Sequence, residues 1–281
     1  EIRGLWAAVA WQAMGSPAEV ILAEAGPGRG TLMADALRAA ALVPPFRAAL
    51  RLHLVETSPR LRAVQAGRLP QPVFHDRVEA LPVGPLLLLA NEFLDALPIR
   101  QLLRHAGGAS EHFVDNGALV AVPPVAGDSV VEEICEPARA LAAHLGARLA
   151  AHGGAALFVD YGPEHSAPGD SLQALRGGRA ADPLAEPGTA DLTAHVDFQA
   201  FGAAARAAGG AVQGPAPQGV FLTRLGLFQR TGMLARGLPP AKGQAMIAAA
   251  KRLAEPDRMG RLFKAICVCD PALPPLPGFA A

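Results

Sequence analysis

A glycine-rich turn between an apolar run and an amphipathic run constrains this chain more than any other feature. Residues 20–23 are apolar, the sequence GPGRG follows at 26–30, and a helical pattern begins at Thr31. This order predicts a strand, a tight turn and a helix, which open a nucleotide-type α/β unit. Glycine lets the backbone approach a ligand that a Cβ atom would block, and the helix N-terminus behind the turn offers unpaired N–H groups.

A single acidic residue, Glu56, ends the second apolar run, at residues 52–55. The carboxyl ends of parallel strands meet at one edge of a sheet, so Glu56 is expected to lie beside the glycine turn. A carboxylate at that position can accept hydrogen bonds from both hydroxyls of a ribose. The sequence therefore predicts a ligand that carries a ribose.

The glycine spacing excludes two common nucleotide sites. A dinucleotide fingerprint needs its third glycine five residues after the first, whereas that position is Thr31 and the third glycine is Gly30. No Gly-Lys-Ser/Thr sequence follows, which excludes a P-loop. The pattern E-x-G-x-G-x-G at 24–30, with Glu56 after the second strand, is similar to the S-adenosylmethionine (SAM) site of class I methyltransferases. A tight turn that binds nothing is the alternative.

Composition limits the partners that this chain can have. Its 281 residues are 51% hydrophobic, and the 25 basic and 25 acidic residues give a formal net charge of zero. No basic patch indicates nucleic-acid binding, and no run reaches the roughly 18 apolar residues of a membrane-spanning helix. The three cysteines form no disulfide framework, Cys267 and Cys269 are expected to be buried on one face of a strand, and no metal-ligand spacing is found.

The order of patterns predicts an α/β fold, with a doubly wound, mostly parallel, Rossmann-like sheet in a single domain over residues 1–281. A small antiparallel insertion is expected at about 97–125, where residues 115–117 (Asp-Asn-Gly) are a hairpin signal. A loop and helical additions are expected at about 163–255, with Asp197 capping a helix and two later helices at 221–235 and 241–253. The prolines at 44–45 are expected to interrupt helical structure.

Seven segments, spread in order over most of the chain, carry a resemblance to one family. They are GPGRGTLMAD at 26–35, VETSP at 55–59, NEFLDALP at 91–98, DYG at 160–162, GDSLQA at 169–174, ADLTAHVDF at 190–198 and MGRLFK at 259–264. These segments resemble the MidA-like methyltransferases, whose mitochondrial members are complex I assembly factors that methylate an arginine of a partner subunit. The resemblance implies SAM as cofactor and a protein substrate, such as a respiratory complex I subunit.

The resemblance also implies which residues hold the cofactor. Asp76 follows the third predicted strand, where related sites accept a hydrogen bond from the adenine amino group, although a solvated loop aspartate is an equal alternative. The expected cofactor-binding residues are Glu24, Gly26, Pro27, Gly28, Gly30, Glu56, Thr57 and Asp76.

An arginine acceptor keeps its proton up to about pH 12, so carboxylates must hold the guanidinium and accept a proton as the nitrogen attacks. Glu92, just past the fourth strand, is the first candidate, with Asn91 before it and Asp95 behind it. Asp160 and His195 are further catalytic candidates at the same edge. The structural alternatives are a cap or salt bridge for Glu92 and Asp95, a turn for Asp160, and a backbone hydrogen bond for His195.

The leading hypothesis is therefore a SAM-dependent protein arginine methyltransferase, located in the cytoplasm of a bacterium or in the mitochondrial matrix of a eukaryote. The alternatives are an assembly factor that keeps the fold but only binds, and a small-molecule methyltransferase with a closed apolar pocket. Family members usually carry several dozen residues before the opening helix, a segment that this sequence is expected to lack. The sequence does not indicate an oligomeric state.

Overall fold

The computed structural model describes residues 2–125 and 127–279. Its strands are β1 (Val20–Ala25), β2 (Leu50–Val55), β3 (Val73–His75), β4 (Leu86–Asn91), β5 (Arg100–His105), β6 (Gly108–Asp115), β7 (Ala118–Val122), β8 (Val130–Ile134), β9 (Gly154–Tyr161), β10 (Gln173–Arg176), β11 (Arg179–Ala181), β12 (Asp191–Thr193), β13 (Ala211–Pro217) and β14 (Phe263–Cys269). Its helices are α1 (Ile2–Ala13), α2 (Thr31–Ala40), α3 (Pro44–Ala49), α4 (Pro59–Arg68), α5 (Glu136–His152), α6 (Phe198–Ala207), α7 (Gln218–Arg224), α8 (Leu227–Arg236) and α9 (Pro240–Ala254).

The central sheet has seven strands in the order β13-β14-β9-β4-β1-β2-β3. The five strands from β9 to β3 are parallel, whereas β14 is antiparallel to both of its neighbours. The predicted doubly wound, mostly parallel sheet is thereby confirmed. Because the order runs outward from β1 in both directions, the carboxyl ends of β1 and β4 meet at the topological switch point, where open α/β sheets bind ligands.

Both faces of the sheet are covered, which explains the continuous apolar sequence of β4. Leu86, Leu87, Leu88 and Leu89 alternate between two cores and are all at most 1% exposed. One core contains Trp6 and side chains from α1, α2, α3 and α7, and the other contains side chains from α5 and α6. Burial of each such leucine contributes about 1.5–3 kcal/mol.

Two helix pairs pack at very close range through small residues. A Cβ atom on Gly4 of α1 would lie 2.6 Å from the Cα of Ala36 in α2, and one on Gly146 of α5 would lie 2.3 Å from the carbonyl oxygen of Ala205 in α6. The first contact holds the N-terminal turn of α1 against α2. It therefore places Arg3, in that turn, near the carboxyl edge of the sheet.

Local sequence signals were largely confirmed. The Ser58 hydroxyl accepts from the Leu61 N–H at 3.4 Å, and the Asp197 carboxylate accepts from the Ala200 N–H at 2.9 Å, so both residues cap helices. Asn116 and Gly117 have φ angles of 48° and 79°, as a tight hairpin turn requires. Cys267 and Cys269 are fully buried on one face of β14.

Two helix predictions were wrong. The prolines at 44–45 begin α3 instead of interrupting helical structure, because proline lacks an N–H that the first helical turn does not use. The expected helix at 221–235 is two helices, α7 and α8, separated by Gly226 with a φ angle of 80°. Among the described residues, every helix is too short or too polar to cross a lipid bilayer.

Two small antiparallel sheets lie outside the central one. One has the order β7-β6-β5-β8 and extends from residue 100 to residue 134, and the other has the order β11-β10-β12. The Gln101 side chain of β5 donates to both Glu133 (2.9 Å) and Asp170 (2.8 Å). This buried contact ties the first antiparallel sheet to the segment that follows β9.

Candidate functional site

The glycine turn after β1 leaves room for a ligand. Gly28 has a φ angle of 52°, which disfavours other residues, and apart from its chain neighbours no atom of the described residues lies within 4 Å of the position that its Cβ would occupy. The Gly30 N–H donates to the Pro27 carbonyl at 2.7 Å and closes the turn just before α2 begins. The backbone is therefore open at Gly28 and directs the N-terminus of α2 toward the same edge.

Glu56 is half-buried and held by two donors from the segment that follows it. Its Oε1 accepts from the Ser58 N–H at 2.8 Å, and its Oε2 accepts from the Gln65 side chain at 3.3 Å. The same Gln65 nitrogen donates to the Gly28 carbonyl at 2.7 Å. Gln65 is fully buried, so it connects the end of β2 to the glycine turn and fixes the carboxylate. A carboxylate has about four acceptor positions, and these contacts leave some of them for a ligand.

A cavity of about 350 Å³ opens beside Glu56. Gly26, Glu56, Thr57 and Asp76 line it together with the apolar side chains of Phe93 and other residues. Its volume lies within the range of small-molecule sites, and an apolar wall with few polar groups is typical of them. Four of the predicted cofactor residues therefore share one cavity.

Asp76 lies at the exposed side of this cavity. Its carboxylate forms an ion pair with Arg62 at 2.7 Å, and its side chain is 81% exposed. The backbone carbonyl of His75, the residue before Asp76, accepts from the Glu56 N–H at 3.0 Å. His75 also pairs with His53, with 2.9 Å between Nε2 and Nδ1, and burial lowers the pKa of both imidazoles.

Glu24, near the end of β1, is only 3% exposed. Its Oε2 has no hydrogen-bond partner in the described part of the chain. Burial raises the pKa of Glu24 to about 7, and the positive charge of Arg3 opposes this rise. Such an unsatisfied buried carboxylate is costly unless a ligand or cation completes it.

Asp160, at the end of β9, holds the loop after β4. Its Oδ2 accepts from three consecutive backbone N–H groups, those of residues 93–95, at 3.1, 2.9 and 3.2 Å. Its Oδ1 accepts from the N–H of Tyr161 at 2.9 Å. Burial raises the pKa of Asp160 to about 7, while these N–H groups favour the ionised form. Both oxygens are thus occupied by the protein backbone.

Glu92 stands at the start of this loop in an unusual backbone conformation. Its φ angle is 49°, in the left-handed region that non-glycine residues seldom adopt. Its Oε1 accepts from the Asn91 side chain at 2.9 Å. Three N–H groups on the following residues donate to Asp160 and hold the loop in place, and strain of this kind persists where the surroundings enforce it.

Asp95, Tyr161 and His195 are brought together behind the loop. Asp95 is 5% exposed, and its Oδ1 has no hydrogen-bond partner among residues 2–125 and 127–279. Burial raises the pKa of Asp95, and Tyr161 opposes the shift. The exposed ring of His195 is nearly perpendicular to that of Tyr161, with the ring centroids 5.7 Å apart, and the backbone N–H of His195 donates to the Ser171 hydroxyl at 2.8 Å.

A larger cavity of about 1000 Å³ adjoins His195. It lies between the segment after β9 and residues 256–264, and Lys264 lines it from β14. The Lys264 ammonium donates to the carbonyls of Gly162 (3.3 Å) and Arg261 (2.6 Å), and burial lowers its pKa. Sequence reasoning did not select Lys264, although a lysine inside an apolar strand was a usable signal.

Six of the candidate residues line three cavities, whereas the others, Glu92 among them, line none of the three. Gly26, Glu56, Thr57 and Asp76 line the first, and His195 lines the second. Asn91 lines a third cavity of about 590 Å³ together with Arg3, another residue that sequence reasoning missed. No signal in the sequence identified Arg3, because it reaches this edge only through the packing of α1 on α2.

Comparisons with known proteins agree with this geometry. A family described as S-adenosyl-L-methionine-dependent methyltransferases matches residues 3–121 and 118–216. The mitochondrial protein arginine methyltransferase NDUFAF7 of Danio rerio is 32% identical over 97% of this chain and 74% of its own length. Its Drosophila melanogaster homolog is 34% identical over 94% of this chain and 70% of its own length.

Solved structures give the same result. A Burkholderia thailandensis protein bound to S-adenosyl-homocysteine is 26% identical, with a TM-score of 0.80 over 99% of this chain and 77% of that protein. A second crystal structure from that organism is 27% identical, with a TM-score of 0.82 over 100% of this chain and 81% of that protein. The predicted resemblance, fold and cofactor are confirmed by these comparisons.

Proposed function

We propose that this chain, which belongs to the family of S-adenosyl-L-methionine-dependent methyltransferases, methylates an arginine side chain of a partner protein. The proposal draws on the names of its relatives, which are protein arginine methyltransferases. The observation that carries it is the anchored Glu56 beside the open glycine turn, at the mouth of a cavity of about 350 Å³.

The residues at this edge fit SAM. Glu56 would accept from the ribose hydroxyls, Asp76 would lie near the adenine amino group, and Thr57 would line the cavity between them. The turn of Gly26, Pro27, Gly28 and Gly30 would lie against the methionine part, where the unsatisfied Glu24 Oε2 suits an ammonium group. When bound, SAM supplies an activated methyl group on its sulfonium.

Glu92 is the proposed acceptor-binding residue. A guanidinium is a fork of N–H donors, and one carboxylate can hold it by two parallel hydrogen bonds. Glu92 would orient the acceptor nitrogen and take up the proton that this nitrogen must lose. Asn91 already donates to Glu92 Oε1 and would keep that oxygen in place.

Asp160, Asp95 and His195 have different proposed roles. Both oxygens of Asp160 accept backbone N–H groups, so we assign it a positioning role for the loop that carries Glu92. Asp95 has an oxygen without a hydrogen-bond partner in the described residues and lies close to Tyr161, which suits a second contact to the acceptor. His195 is exposed beside the larger cavity, where we assign it the role of a proton acceptor.

The larger cavity is the proposed path for the partner polypeptide. It has a volume of about 1000 Å³ and opens at the same edge as the SAM cavity. A protein substrate needs an open groove, whereas a small-molecule methyltransferase would enclose its acceptor in an apolar pocket. Glu133, Glu164 and Asp257 line this groove beside three basic side chains, and these carboxylates are the groups that would contact an arginine of the partner.

We further propose that the partner is a subunit of respiratory complex I. This follows from the resemblance to the MidA-like family and from the mitochondrial location in the names of the relatives. We likewise propose that the protein works in the mitochondrial matrix if it is eukaryotic and in the cytoplasm if it is bacterial.

The test is transfer of labelled methyl from SAM to complex I subunits purified from cells that lack this protein, followed by mass spectrometry of the labelled residue. Glu92→Gln should lower the rate by about 100-fold or more, with SAM affinity unchanged. Glu136→Gln, at an exposed position on α5, is the matched control and should keep full activity. Partner binding without label would instead indicate a non-catalytic assembly factor, and label on a lysine would refute the arginine assignment.

A further inference from the structure

Arg3 occupies a position at the cofactor edge that no motif explains. It lies in the first turn of α1 and lines the cavity of about 590 Å³ with Asn91 and Leu32. Leu32 belongs to the first turn of α2, and Asn91 ends β4. Arg3 is therefore near the two elements between which the proposed SAM site lies.

The guanidinium of Arg3 has no direct partner in the part of the chain that the structure describes. It forms no hydrogen bond or ion pair with another residue in the described ranges, although both Glu24 and Glu92 attract it. Burial lowers the pKa of Arg3 to about 10, so the group stays charged near neutral pH. Arg3 is only partly exposed, and an anionic ligand group would stabilise a charged guanidinium at such a position.

Glu24 offers a carboxylate oxygen that a cationic ligand group could contact. It is 3% exposed, and its Oε2 has no hydrogen-bond partner among the described residues. Arg3 and Glu24 are close enough to attract each other, but no hydrogen bond or ion pair joins them in the described residues. A ligand group with one ammonium and one carboxylate would satisfy both.

We propose that Arg3 binds the carboxylate of the amino-acid end of SAM, opposite the ammonium group at Glu24. The inference rests on the proposed function and specifies how its cofactor is selected. The N-terminus of α2 adds a partial positive charge at the same place, which also favours a carboxylate. Arg3 would then discriminate SAM from adenosyl ligands that lack this carboxylate.

Binding calorimetry with three ligands tests the proposal. SAM carries both charged groups, decarboxylated SAM lacks only the carboxylate, and 5′-methylthioadenosine lacks the whole amino-acid end. The unaltered protein should bind SAM about 10-fold or more tightly than decarboxylated SAM. Arg3→Gln should lose about 10- to 100-fold in SAM affinity, since a charged hydrogen-bonded pair contributes on that order, and should bind decarboxylated SAM as before. Arg3→Lys should recover part of the loss.

Two controls separate this inference from its premise. Arg252→Gln removes the same charge from an exposed position on α9 and should change no affinity. Glu56→Gln should weaken all three ligands, because each carries the ribose. If the unaltered protein binds none of them, the proposed function fails along with the inference. The role of Arg3 alone is refuted if Glu56→Gln behaves as expected but Arg3→Gln does not discriminate between the ligands. In that case Arg3→Gln would lower the affinities for SAM and decarboxylated SAM equally, or would change neither affinity. Thermal melting of Arg3→Gln checks that the variant is folded.

Discussion

Glu56 and Asp160 are both acidic residues at the carboxyl ends of parallel strands, yet the structure uses them differently. Glu56 is half-buried, accepts one backbone N–H and one side-chain N–H, and faces a cavity. Asp160 is 1% exposed and accepts four backbone N–H groups. The first retains free acceptor capacity, whereas the second is saturated by the protein.

The difference shows that an acid at a strand end indicates a position and not a role. Glu56 is held by residues no more than nine positions away, so it is fixed without being enclosed. Three of the donors to Asp160 lie 65 to 67 positions away. They belong to the loop after β4, which folds over the carboxylate and makes it an internal anchor.

Removal of the Asp160 carboxylate should have the largest effect. Asp160→Ala leaves buried N–H groups without an acceptor, each at about 1–3 kcal/mol, so we expect a loss of about 3 kcal/mol or more in the free energy of unfolding. Urea unfolding measures it. Asp128→Ala, at an exposed loop position, is the control and should change little. A loss below about 1 kcal/mol would show that Asp160 does not anchor the loop.

Removal of the Glu56 carboxylate should affect binding and leave folding nearly intact. Glu56→Ala should weaken SAM by about 100-fold, because two ribose hydroxyls lose a charged acceptor. Stability should fall by about 1 kcal/mol or less, since the Gln65 contact to Gly28 remains. Calorimetry and melting together measure both effects. Glu79→Gln, an exposed residue lining the same cavity, should bind SAM normally; equal weakening of both variants would contradict a specific role for Glu56.

The His53–His75 pair should make this edge sensitive to acid. Burial lowers both pKa values, so the folded protein binds fewer protons than the unfolded chain, in which histidine has a pKa of about 6.5. Stability is full above that pH and falls below it, by at most about 1.4 kcal/mol per histidine per pH unit. Arg62 and Arg148 reinforce this direction, and Asp76 opposes it.

Melting temperatures at pH 7.5 and pH 5.5 test this pair. The variant with His53→Gln and His75→Gln should lose less stability between these two values than the unaltered protein. His165→Gln, on the exposed segment after β9, is the control and should leave the difference unchanged. The same acid sensitivity in the double variant would rule out the histidine pair as its source.

The smallest effect is expected at a third acid, Asp197, which caps the helix that follows it. Its carboxylate accepts from the Ala200 N–H and from the Ser166 hydroxyl. Asp197→Ala should cost about 1 kcal/mol, and Asp197→Asn considerably less, because asparagine is an equally good N-cap residue. Urea unfolding of both variants gives the comparison. Equal losses would show that charge, and not capping, is what Asp197 contributes.

Sequence patterns were most informative where the interactions are local. The strand, turn and helix around Gly28 agree with the structure within one residue, and so do the caps at Ser58 and Asp197. These features depend on residues within one turn of each other. The four-stranded antiparallel sheet was recognised only in part, because β8 pairs with β5 across two intervening strands.

Contacts between segments that are distant in the sequence were the main features that sequence patterns did not predict. The edge strand β13, which contains Gly214 and Pro215, was not predicted, and it forms only by pairing with β14. The contact between Asp160 and residues 93–95 was missed for the same reason. Lys264 and Arg3 were likewise missed, since a residue type carries no information about which distant element will pack beside it.

The amino-acid sequence by itself determined the α/β class, the glycine turn and the acid that follows the second strand. Each of these depends on backbone preferences and apolar periodicity over a few residues, which the chain carries wherever it folds. Only the tertiary structure decided that Asp160 is enclosed, that Glu56 stays open, and that Arg3 comes close enough to Glu24 to attract it. Those outcomes depend on which distant N–H groups and charges become neighbours in the fold. Burial then strengthens the interactions between them, because water no longer competes for the same groups.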